Sequence, residues 1–329
     1  MKVLAGDVGG TNTRLALCEV NDGKVLRLVQ SITPSASHES LAEIVRAFAT
    51  NNGADDVRAV CFGLPGPVRG RRAQLTNLPW TVDADELERE LGLPTVNIIN
   101  DLEANAHGLS TLADADFKTL RTGSAVSGGN AGLVSAGTGL GEAGMHFFKG
   151  RMVPFATEGG HTDFAPSDDL EFELHQWLQA RHGHVSWERV VSGPGVASLY
   201  EFFVQRAGAD TPQWWAEAQQ SKEPAAAIAT AAEHGEDEHA AAAIELFMKL
   251  YGAEAGNFAL KVLALGGIYL GGGIAPKLAK VMADSGFIER FDAKGRMRHL
   301  VEQMPIRIVL NDSAALQGAA LYAARHAEP

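Results

Sequence analysis

Short apolar runs that end near glycine alternate along this chain with segments whose apolar residues follow helical spacing. Residues 3–5, 133–135 and 268–270 are continuous and largely apolar, which predicts buried strands. Residues 41–48 and 244–251 instead place apolar side chains at positions i, i+3, i+4 and i+7, as a helix with one core-facing side does. This alternation of strands and helices predicts an α/β fold.

Three glycine-rich turns follow these three apolar runs directly. They are Gly6-Asp7-Val8-Gly9-Gly10-Thr11, Ala136-Gly137-Thr138-Gly139-Leu140-Gly141 and Gly271-Gly272-Gly273-Ile274-Ala275-Pro276. Because glycine has no Cβ, the backbone can turn sharply there and bring its N–H groups against phosphate oxygens. We therefore predict one nucleotide-phosphate site, bound by Gly6, Asp7, Val8, Gly9, Gly10, Thr11, Gly137, Thr138, Gly139, Gly271 and Gly272.

Similar sequence follows the first two turns. In both copies a strand and a tight turn come next, at Asn21-Asp22-Gly23 after the first and at Lys149-Gly150 after the second. An internal duplication of this kind predicts two related halves that face each other. The alternative is two unrelated hairpins that share a short motif.

The length of 329 residues is sufficient for two domains with their own cores. We expect residues 1–108 and 305–329 to form a small α/β domain, because the last predicted strand and the helix at 313–325 return to the first half. Residues 109–304 are then a larger α/β domain, richer in helix. In the segment 75–80 we expect a loop that exposes Trp80.

Composition excludes several classes of protein. The net charge of -12 argues against a nucleic-acid partner, which needs a basic face, but not against ATP. The two cysteines, Cys18 and Cys61, lie in apolar runs, and we expect buried thiols in a reducing cytoplasm. Neither a signal peptide nor an apolar stretch that could span a membrane is expected.

Asn100 and Asp101 follow the predicted strand 96–99 and open the next segment. The carboxyl ends of parallel strands are where α/β proteins bind ligands, so Asp101 could act there as a general base toward a hydroxyl group. Alone, an aspartate before a helix is more often an N-cap, and that alternative stays open.

A second set of polar residues follows the second hairpin. Glu158 and His161 flank two glycines, and a carboxylate with an imidazole suits a polyol. A solvated loop is the plain alternative, and a metal site through His161 and Asp163 is a rival that lacks a third ligand at suitable spacing. Glu188 is a further candidate acceptor, although its spacing alone favours a charge on a helix surface.

In combination, these motifs resemble those of the bacterial ATP-dependent glucokinases, the family with the hexokinase/actin-like fold that is distinct from the ROK sugar kinases. The matching stretches are Gly-Asp-Val-Gly-Gly-Thr-Asn at 6–12, Leu-Thr-Asn at 75–77, Ile-Ile-Asn-Asp at 98–101, Ala-Gly-Thr-Gly-Leu-Gly at 136–141, Glu-Gly-Gly-His-Thr-Asp-Phe-Ala-Pro at 158–166, Gly-His-Val-Ser-Trp-Glu-Arg-Val-Val-Ser-Gly-Pro-Gly at 183–195 and Gly-Gly-Gly-Ile-Ala-Pro at 271–276. They extend from the first strand to near the end of the chain.

The resemblance implies a duplicated actin/hexokinase-like α/β fold of two domains with an active-site cleft between them. It implies phosphorylation of glucose at the 6-hydroxyl with ATP and Mg²⁺, and a homodimer. Asp101 resembles the catalytic base, and the residues that resemble glucose ligands are Asn100, Asp101, Glu158, His161 and Glu188. Asp7 is placed to hold the water shell of Mg²⁺. This chain has two cysteines, which are too few to form the cysteine-rich zinc motif of the ROK kinases.

Three other functions remain as alternatives. A related hexose or N-acyl-hexosamine kinase would share the fold. A dinucleotide-binding oxidoreductase is suggested by Gly137-Thr138-Gly139, but the glycine spacing is wrong and a hairpin rather than a helix is predicted to follow. A non-catalytic sugar sensor would bind both ligands without turnover.

Overall fold

The computed structural model describes residues 1–54, 56–221 and 223–327. The chain divides into two compact units. Unit 1 comprises Met1–Asp116, Ala143–Ala156 and Asn311–Pro329, and unit 2 comprises Phe117–Glu142 and Thr157–Leu310. The domain boundaries predicted above, 1–108 with 305–329 and 109–304, stay predictions.

The strands form two large sheets and a small one. They are β1 (Lys2–Val8), β2 (Asn12–Asn21), β3 (Lys24–Pro34), β4 (Ala59–Leu64), β5 (Val68–Arg69), β6 (Arg72–Gln74), β7 (Thr81–Asp83), β8 (Val96–Asn100), β9 (Phe117–Arg121), β10 (Ala131–Ala136), β11 (Leu140–Phe148), β12 (Arg151–Thr157), β13 (Gly267–Gly271) and β14 (Ile306–Val309). The first sheet has the order β3-β2-β1-β4-β8, the second β12-β11-β10-β13-β14-β9, and the small one β5-β6-β7.

The helices connect these strands. They are α1 (Leu41–Asn52), α2 (Ala84–Leu91), α3 (Asp101–Gly108), α4 (Asp169–His182), α5 (Gly193–Ala207), α6 (Gln213–Ala218), α7 (Pro224–His234), α8 (Glu238–Lys261), α9 (Ile274–Leu278), α10 (Phe287–Asp292), α11 (Arg298–Val301) and α12 (Ala314–Arg325). The helices predicted at 41–48, 244–251 and 313–325 are confirmed as α1, part of α8 and α12. No helix in the described part of the chain is long and apolar enough to cross a membrane.

The two large sheets repeat one arrangement, which confirms the predicted duplication. In the first sheet β1 pairs with β4 in parallel and β4 with β8, and in the second β10 pairs with β13 and β13 with β14, also in parallel. Each copy continues through a three-residue loop into a hairpin. The hairpin turns have positive φ at both central residues, 49° and 77° at Asp22 and Gly23, and 48° and 82° at Lys149 and Gly150. This is the type I′ turn that matches the twist of paired strands.

The first sheet is packed on both faces within unit 1. Leu4 and Phe62 contribute to one apolar cluster with α1, while Ala5 and Cys61 pack on the other face with α12. Both Cys18 and Cys61 are buried free thiols, as predicted. In unit 2 the core is formed largely by α8 and its neighbours.

Two glycines bring α12 against α3. A Cβ added to Gly108 would overlap the carbonyl of Ala314, and one added to Gly318 would overlap the carbonyl of Ala104. The helix axes therefore approach closely, and this contact holds the helix that begins with Asp101.

The prediction that Trp80 is exposed is wrong, because only 4% of this residue is accessible. The segment between β6 and β7 folds back on itself: the Leu75 amide donates to the carbonyl of Trp80 at 3.0 Å. This hydrogen bond closes the loop, and the indole of Trp80 packs in the apolar cluster with Leu75, Leu78 and Val82.

Candidate active site

The first glycine loop, Gly9 to Thr11, connects β1 to β2. The Gly9 amide donates to the carbonyl of Asn12 at 2.9 Å, which closes the turn. Ser35 fixes it from behind, with its Oγ donating to the carbonyl of Gly9 at 2.7 Å and its amide donating to the carbonyl of Thr11 at 2.9 Å. The loop is thus preorganised by the protein.

A buried pair of hydroxyl groups supports this loop. The Oγ atoms of Thr13 and Ser35 lie 2.9 Å apart, and both residues are fully buried. Sequence reasoning missed both residues. Thr13 belongs to an ordinary alternating strand, and Ser35 is 22 residues away along the chain, so no local pattern links them.

Asp7 lies near the end of β1, opposite Arg14 of β2 in the antiparallel register. Burial raises the pKa of the Asp7 carboxyl, the Arg14 charge lowers it, and the Asp312 charge raises it again. Arg14 also forms an ion pair with Asp312, at 3.1 Å. A carboxylate oxygen is a suitable donor for Mg²⁺, which keeps several waters, so Asp7 fits the predicted water-mediated role.

Asn100, rather than Asp101, is the N-cap of α3. Its Oδ1 accepts hydrogen bonds from the amides of Leu102 and Glu103 at 2.9 and 3.3 Å, and its Nδ2 donates to the carbonyl of Gly66 at 3.2 Å. The capping alternative for Asp101 is therefore wrong, because the preceding asparagine satisfies the helix end. Only 7% of Asn100 is exposed. Its role as a glucose ligand stays a prediction.

Asp101 is the first residue of α3 and is half-buried. Its Oδ1 accepts the amide of Leu102 at 2.9 Å. Gly63 of β4 permits this position, because a Cβ there would lie 2.9 Å from Ala104 Cβ. The registers Asp7 with Gly63 and Leu64 with Asn100 place the ends of β1, β4 and β8 at one edge of the first sheet.

The second glycine loop, Gly137 to Thr138 to Gly139, is held by different partners. The Gly137 amide donates to the carbonyl of Gly139 at 2.9 Å, and the Gly193 amide donates to the carbonyl of Gly137 at 2.8 Å. Glu188 lies against this loop. Its Oε2 accepts the amide of Leu140 at 3.0 Å and occupies the space that a Cβ of Gly139 would need.

The expectation from spacing that Glu188 is a charge on a helix surface is wrong. It belongs to the 3₁₀ turn Trp187–Arg189, and its side chain is 33% exposed beside the loop. The contact with Leu140 joins residues 48 positions apart, which spacing within one segment does not reveal.

His161 lies next to Glu188, with its Nδ1 4.0 Å from the Glu188 Oε1. It ends the 3₁₀ turn Gly159–His161, which follows the exposed Glu158. A Cβ on Gly160 would overlap the carbonyl of Leu140, so this turn packs closely on the start of β11. Glu158, His161 and Glu188 thus belong to one structural group with the second glycine loop.

The rival metal site is not formed. Asp163 bonds to His184 Nε2 at 2.8 Å, away from the contact between His161 and Glu188. Among the residues that the structure describes, no group of three or more His, Cys, Asp or Glu side chains is arranged to hold a metal ion.

The third glycine turn adjoins the second. Gly271 ends β13 beside Ser135 of β10, and Gly272 has a φ of 78° that favours glycine. A Cβ on Gly272 would overlap the carbonyl of Ala136. These two turns therefore lie at the carboxyl ends of neighbouring parallel strands, where α/β proteins bind ligands.

The structure groups the predicted site residues by unit. In unit 1 it brings Asp7 and the loop 9–11 to the sheet edge that carries Asn100 and Asp101. In unit 2 it groups the turns at 137–139 and 271–272 with Glu158, His161 and Glu188. The roles of these residues stay predictions. The hairpin after Gly139 excludes the strand–loop–helix geometry of a Rossmann dinucleotide site at this loop.

Comparisons with known proteins identify the family of the chain. A family model described as Glucokinase matches residues 4–326. A glucokinase from Nostoc punctiforme is 41% identical over 98% of this chain and 99% of its own length. The crystal structure of a glucokinase from an Antarctic psychrotroph is similar with a TM-score of 0.85 and 31% identity, covering 98% of this chain and 99% of that one.

A ROK family glucokinase from Streptomyces griseus, solved with glucose and AMPPNP, is more distant. It is 21% identical with a TM-score of 0.67, covering 99% of this chain and all of that one, and this likeness shows a shared fold alone. The full-length match to the family model and the identity above 30% to glucokinases are decisive: the chain belongs to the bacterial glucokinase family of the non-ROK type.

Proposed function

We propose that this chain transfers the γ-phosphoryl group of ATP to the 6-hydroxyl of glucose, giving glucose 6-phosphate and ADP. One observation carries the proposal. Glu188, a hydroxyl acceptor, is hydrogen-bonded to Leu140 directly after the second glycine loop and has His161 at 4.0 Å. The second glycine loop and residues whose side chains can accept hydroxyl groups therefore form one group in unit 2, which supports the proposal.

The glycine turns bind the nucleotide. Phosphoryl transfer depends on positioning and on charge stabilisation, with little covalent chemistry for the protein. Backbone amides of the turns at 9–11 and 137–139 provide fixed dipoles for the phosphates, and Thr11 and Thr138 add hydroxyl donors. The turn at 271–272 contributes on the nucleoside side.

Asp7 would hold Mg²⁺ through its water shell. The bound ion supplies charge neutralisation for the phosphates. We expect activity to require Mg²⁺ or Mn²⁺ and to survive a zinc-selective chelator. Stoichiometric, tightly bound zinc by elemental analysis would contradict this assignment.

Asn100, Glu158, His161 and Glu188 bind the hydroxyl groups of glucose, and Asp101 accepts the proton of the 6-hydroxyl as its oxygen bonds to phosphorus. A positioned general base of this kind typically contributes about 10²–10⁴ in rate. Consistent with the family, we further propose a cytoplasmic homodimer.

An ADP-release assay across hexoses tests the function. We expect turnover with glucose to exceed that with mannose, glucosamine and N-acetylglucosamine, with little ADP in the absence of sugar. The glucose product should be oxidised by glucose-6-phosphate dehydrogenase. Binding of glucose and ATP without ADP release would instead indicate a sensor, and preference for an acylated amino sugar would indicate a related kinase.

A further inference from the structure

Glu142, the third residue of β11, is a buried acid without a role in the reaction above. Its side chain is fully buried, and neither carboxyl oxygen accepts a hydrogen bond from a donor group among the residues that the structure describes. An ionised carboxylate is strongly unfavourable in such a place. Glu142 is therefore expected to carry a proton.

Glu254 of α8 is a second carboxyl group, and its charge acts on Glu142. It is also fully buried, and it accepts hydrogen bonds from Asn257 Nδ2 at 2.9 Å and Lys261 Nζ at 3.2 Å. Burial, followed by the charge of Glu254, raises the pKa of Glu142 to about 8, while Lys261 lowers it. Burial and the nearby negative charge both disfavour the ionised form of Glu142.

The other side of Glu142 supports the turn that carries Glu158 and His161. A Cβ on Gly159 would overlap the Glu142 carboxyl group. Thr157 bridges the same two residues, since its Oγ1 donates to the carbonyl of Glu142 at 3.1 Å and accepts the amide of Gly159 at 3.2 Å. A displacement of the Glu142 side chain would therefore move the turn.

We propose that Glu142 is a positioning residue that fixes the turn Glu158–His161 for glucose binding. The inference rests on the proposed function, which assigns glucose to this turn. As pH rises and Glu142 loses its proton, repulsion from the charge of Glu254 would displace the Glu142 side chain from Gly159.

Other charged or titratable groups also act on the pair. Tyr251 and Lys261 lie on α8, and Lys294 follows α10. Burial lowers the pKa of Lys294 to about 8, while Glu254 and Glu171 raise it and Arg290 and Lys261 lower it. Lys294 titrates in the same pH range, so the wild-type pH profile alone does not show that Glu142 is responsible. The experiment therefore needs a variant that changes only the Glu142 carboxyl group.

The variant E142Q keeps the shape of the side chain and can donate an amide N–H to Glu254 at every pH. We expect its KM for glucose at pH 7 to be within twofold of the wild-type value. Between pH 7 and 9 the wild-type KM for glucose should rise severalfold, and that of E142Q should not. E245Q, on an exposed part of α8, is the matched control and should follow the wild type.

The variant E142A removes the support. We expect at least a fivefold higher KM for glucose, with the KM for ATP within twofold. In a double-mutant cycle, G159A should raise the KM for glucose strongly, and E142A should relieve part of that effect because the overlapping carboxyl group is gone. Any of three results would overturn the inference. E142Q and the wild type could lose glucose affinity equally above pH 8, E142A could leave the KM for glucose unchanged, or the effects in the double-mutant cycle could be additive.

Thermal unfolding without substrates separates this inference from the proposed function. Between the ordinary pKa of 4.5 and about 8, Glu142 holds a proton in the native state but has lost it in the unfolded chain. Wild-type Tm should therefore fall relative to that of E142Q as pH rises through this range, and the difference should level above it. The absence of this difference in Tm refutes a protonated Glu142 in the native state, whether or not the protein phosphorylates glucose. A lack of glucose phosphorylation refutes the proposed function alone.

Discussion

The two glycine loops have the same backbone setting but different support. Each joins two strands through three residues, 9–11 between β1 and β2 and 137–139 between β10 and β11. The first is fixed by the hydroxyl of Ser35, and the second by the amide of Gly193 and the carboxylate of Glu188, which accepts the amide of Leu140. A duplicated backbone therefore carries support that is not duplicated. In the second loop this support includes Glu188, one of the residues proposed to bind glucose.

The third residue of the following strand shows the same divergence. In β2 it is Arg14, which pairs with Asp312 at 3.1 Å near the surface. In β11 it is Glu142, which is fully buried beside Glu254. Equivalent positions thus carry a basic residue in β2 and an acidic residue in β11. The strands that follow the two loops therefore differ in their side-chain contacts.

The strand ends before α3 and α12 repeat as well. Asn100 Oδ1 accepts the amide of Leu102, and Asn311 Oδ1 accepts the amide of Ser313, both at 2.9 Å. The aspartates that follow differ in environment. The side chain of Asp312 is 78% exposed and pairs with Arg14, whereas Asp101 is half-buried at the edge with the glycine loop 9–11.

The substitution Asp101→Asn gives the largest expected effect. It should lower kcat by about 100-fold or more while glucose and ATP still bind, because the amide cannot accept the hydroxyl proton. The repeat aspartate provides the comparison: Asp312→Asn should lower kcat by less than about tenfold, since it removes an exposed ion pair with Arg14 and a charge that raises the pKa of Asp7. Steady-state kinetics with both substrates measures these changes.

Asp85→Asn, a carboxylate in the first turn of α2, is a control for the substitution itself and should leave kcat within about twofold. If Asp101→Asn keeps more than about a tenth of the wild-type kcat, Asp101 is not the base.

The second prediction tests the acceptors beside the second loop. Glu158→Gln, His161→Ala and Glu188→Gln should each raise the KM for glucose by about tenfold or more, and the KM for ATP far less. A hydroxyl acceptor that is lost from a binding site costs about 1–3 kcal/mol. Deoxy-sugars that lack the corresponding hydroxyl should reduce the difference between variant and wild type.

His184→Ala is the matched control for His161→Ala, because His184 is an exposed imidazole paired with Asp163. Its KM for glucose should stay near the wild-type value. A glucose KM within twofold for Glu158→Gln and His161→Ala, with a raised ATP KM, would place these residues on the nucleotide side.

The third prediction separates the two loops by their buried serines. Ser35→Ala removes the bond to the carbonyl of Gly9 and should destabilise the protein by about 1–3 kcal/mol and raise mainly the KM for ATP. Ser192 is the counterpart: its Oγ donates to the carbonyl of Glu188 at 2.7 Å and accepts the amide of Gly195. Ser192→Ala should cost a similar free energy but raise mainly the KM for glucose. Equal effects on both substrates in both variants would show that the loops are not specialised.

Local patterns predicted the parts of the molecule that local chemistry determines. Glycine turns directly after apolar runs, and the two type I′ turns at Asp22-Gly23 and Lys149-Gly150, can be recognised within a few residues. The duplication followed because these local signals recur in the same order. The helix start was predicted at the right strand end, but the N-cap is Asn100 rather than Asp101.

The missed features depend on contacts between distant residues. Ser35 supports Gly9 from 26 positions away, and Glu188 reaches Leu140 from 48 positions away. Glu142 follows a glycine loop in an unremarkable position, and only the packing of α8 shows that it meets Glu254. Trp80 was assigned to an exposed loop because its burial depends on how β6 and β7 pair. Pattern alone does not encode such contacts.

The smallest expected effect concerns a buried base in unit 1, whose pH dependence should be opposite to that of Glu142 in unit 2. His107 of α3 is 7% exposed, and burial, followed by the charges of Arg325, His326 and Arg151, lowers its pKa to about 4. Glu103 Oε1 lies 3.9 Å from its Nε2. Between the ordinary pKa of 6.5 and about 4 the unfolded chain binds a proton that the native state does not, so stability falls as pH decreases.

His107→Gln should remove this dependence. From pH 6.5 to pH 5 the wild type should lose on the order of 1–2 kcal/mol of unfolding free energy relative to the variant, because each pKa unit corresponds to about 1.4 kcal/mol. Denaturant unfolding at both pH values measures the difference, and His234→Gln, at an exposed histidine, should behave as the wild type does. If His107→Gln shows the same pH-dependent loss of unfolding free energy, that loss arises from other groups. The contrast between a buried base in unit 1 and a buried acid in unit 2 would then no longer hold.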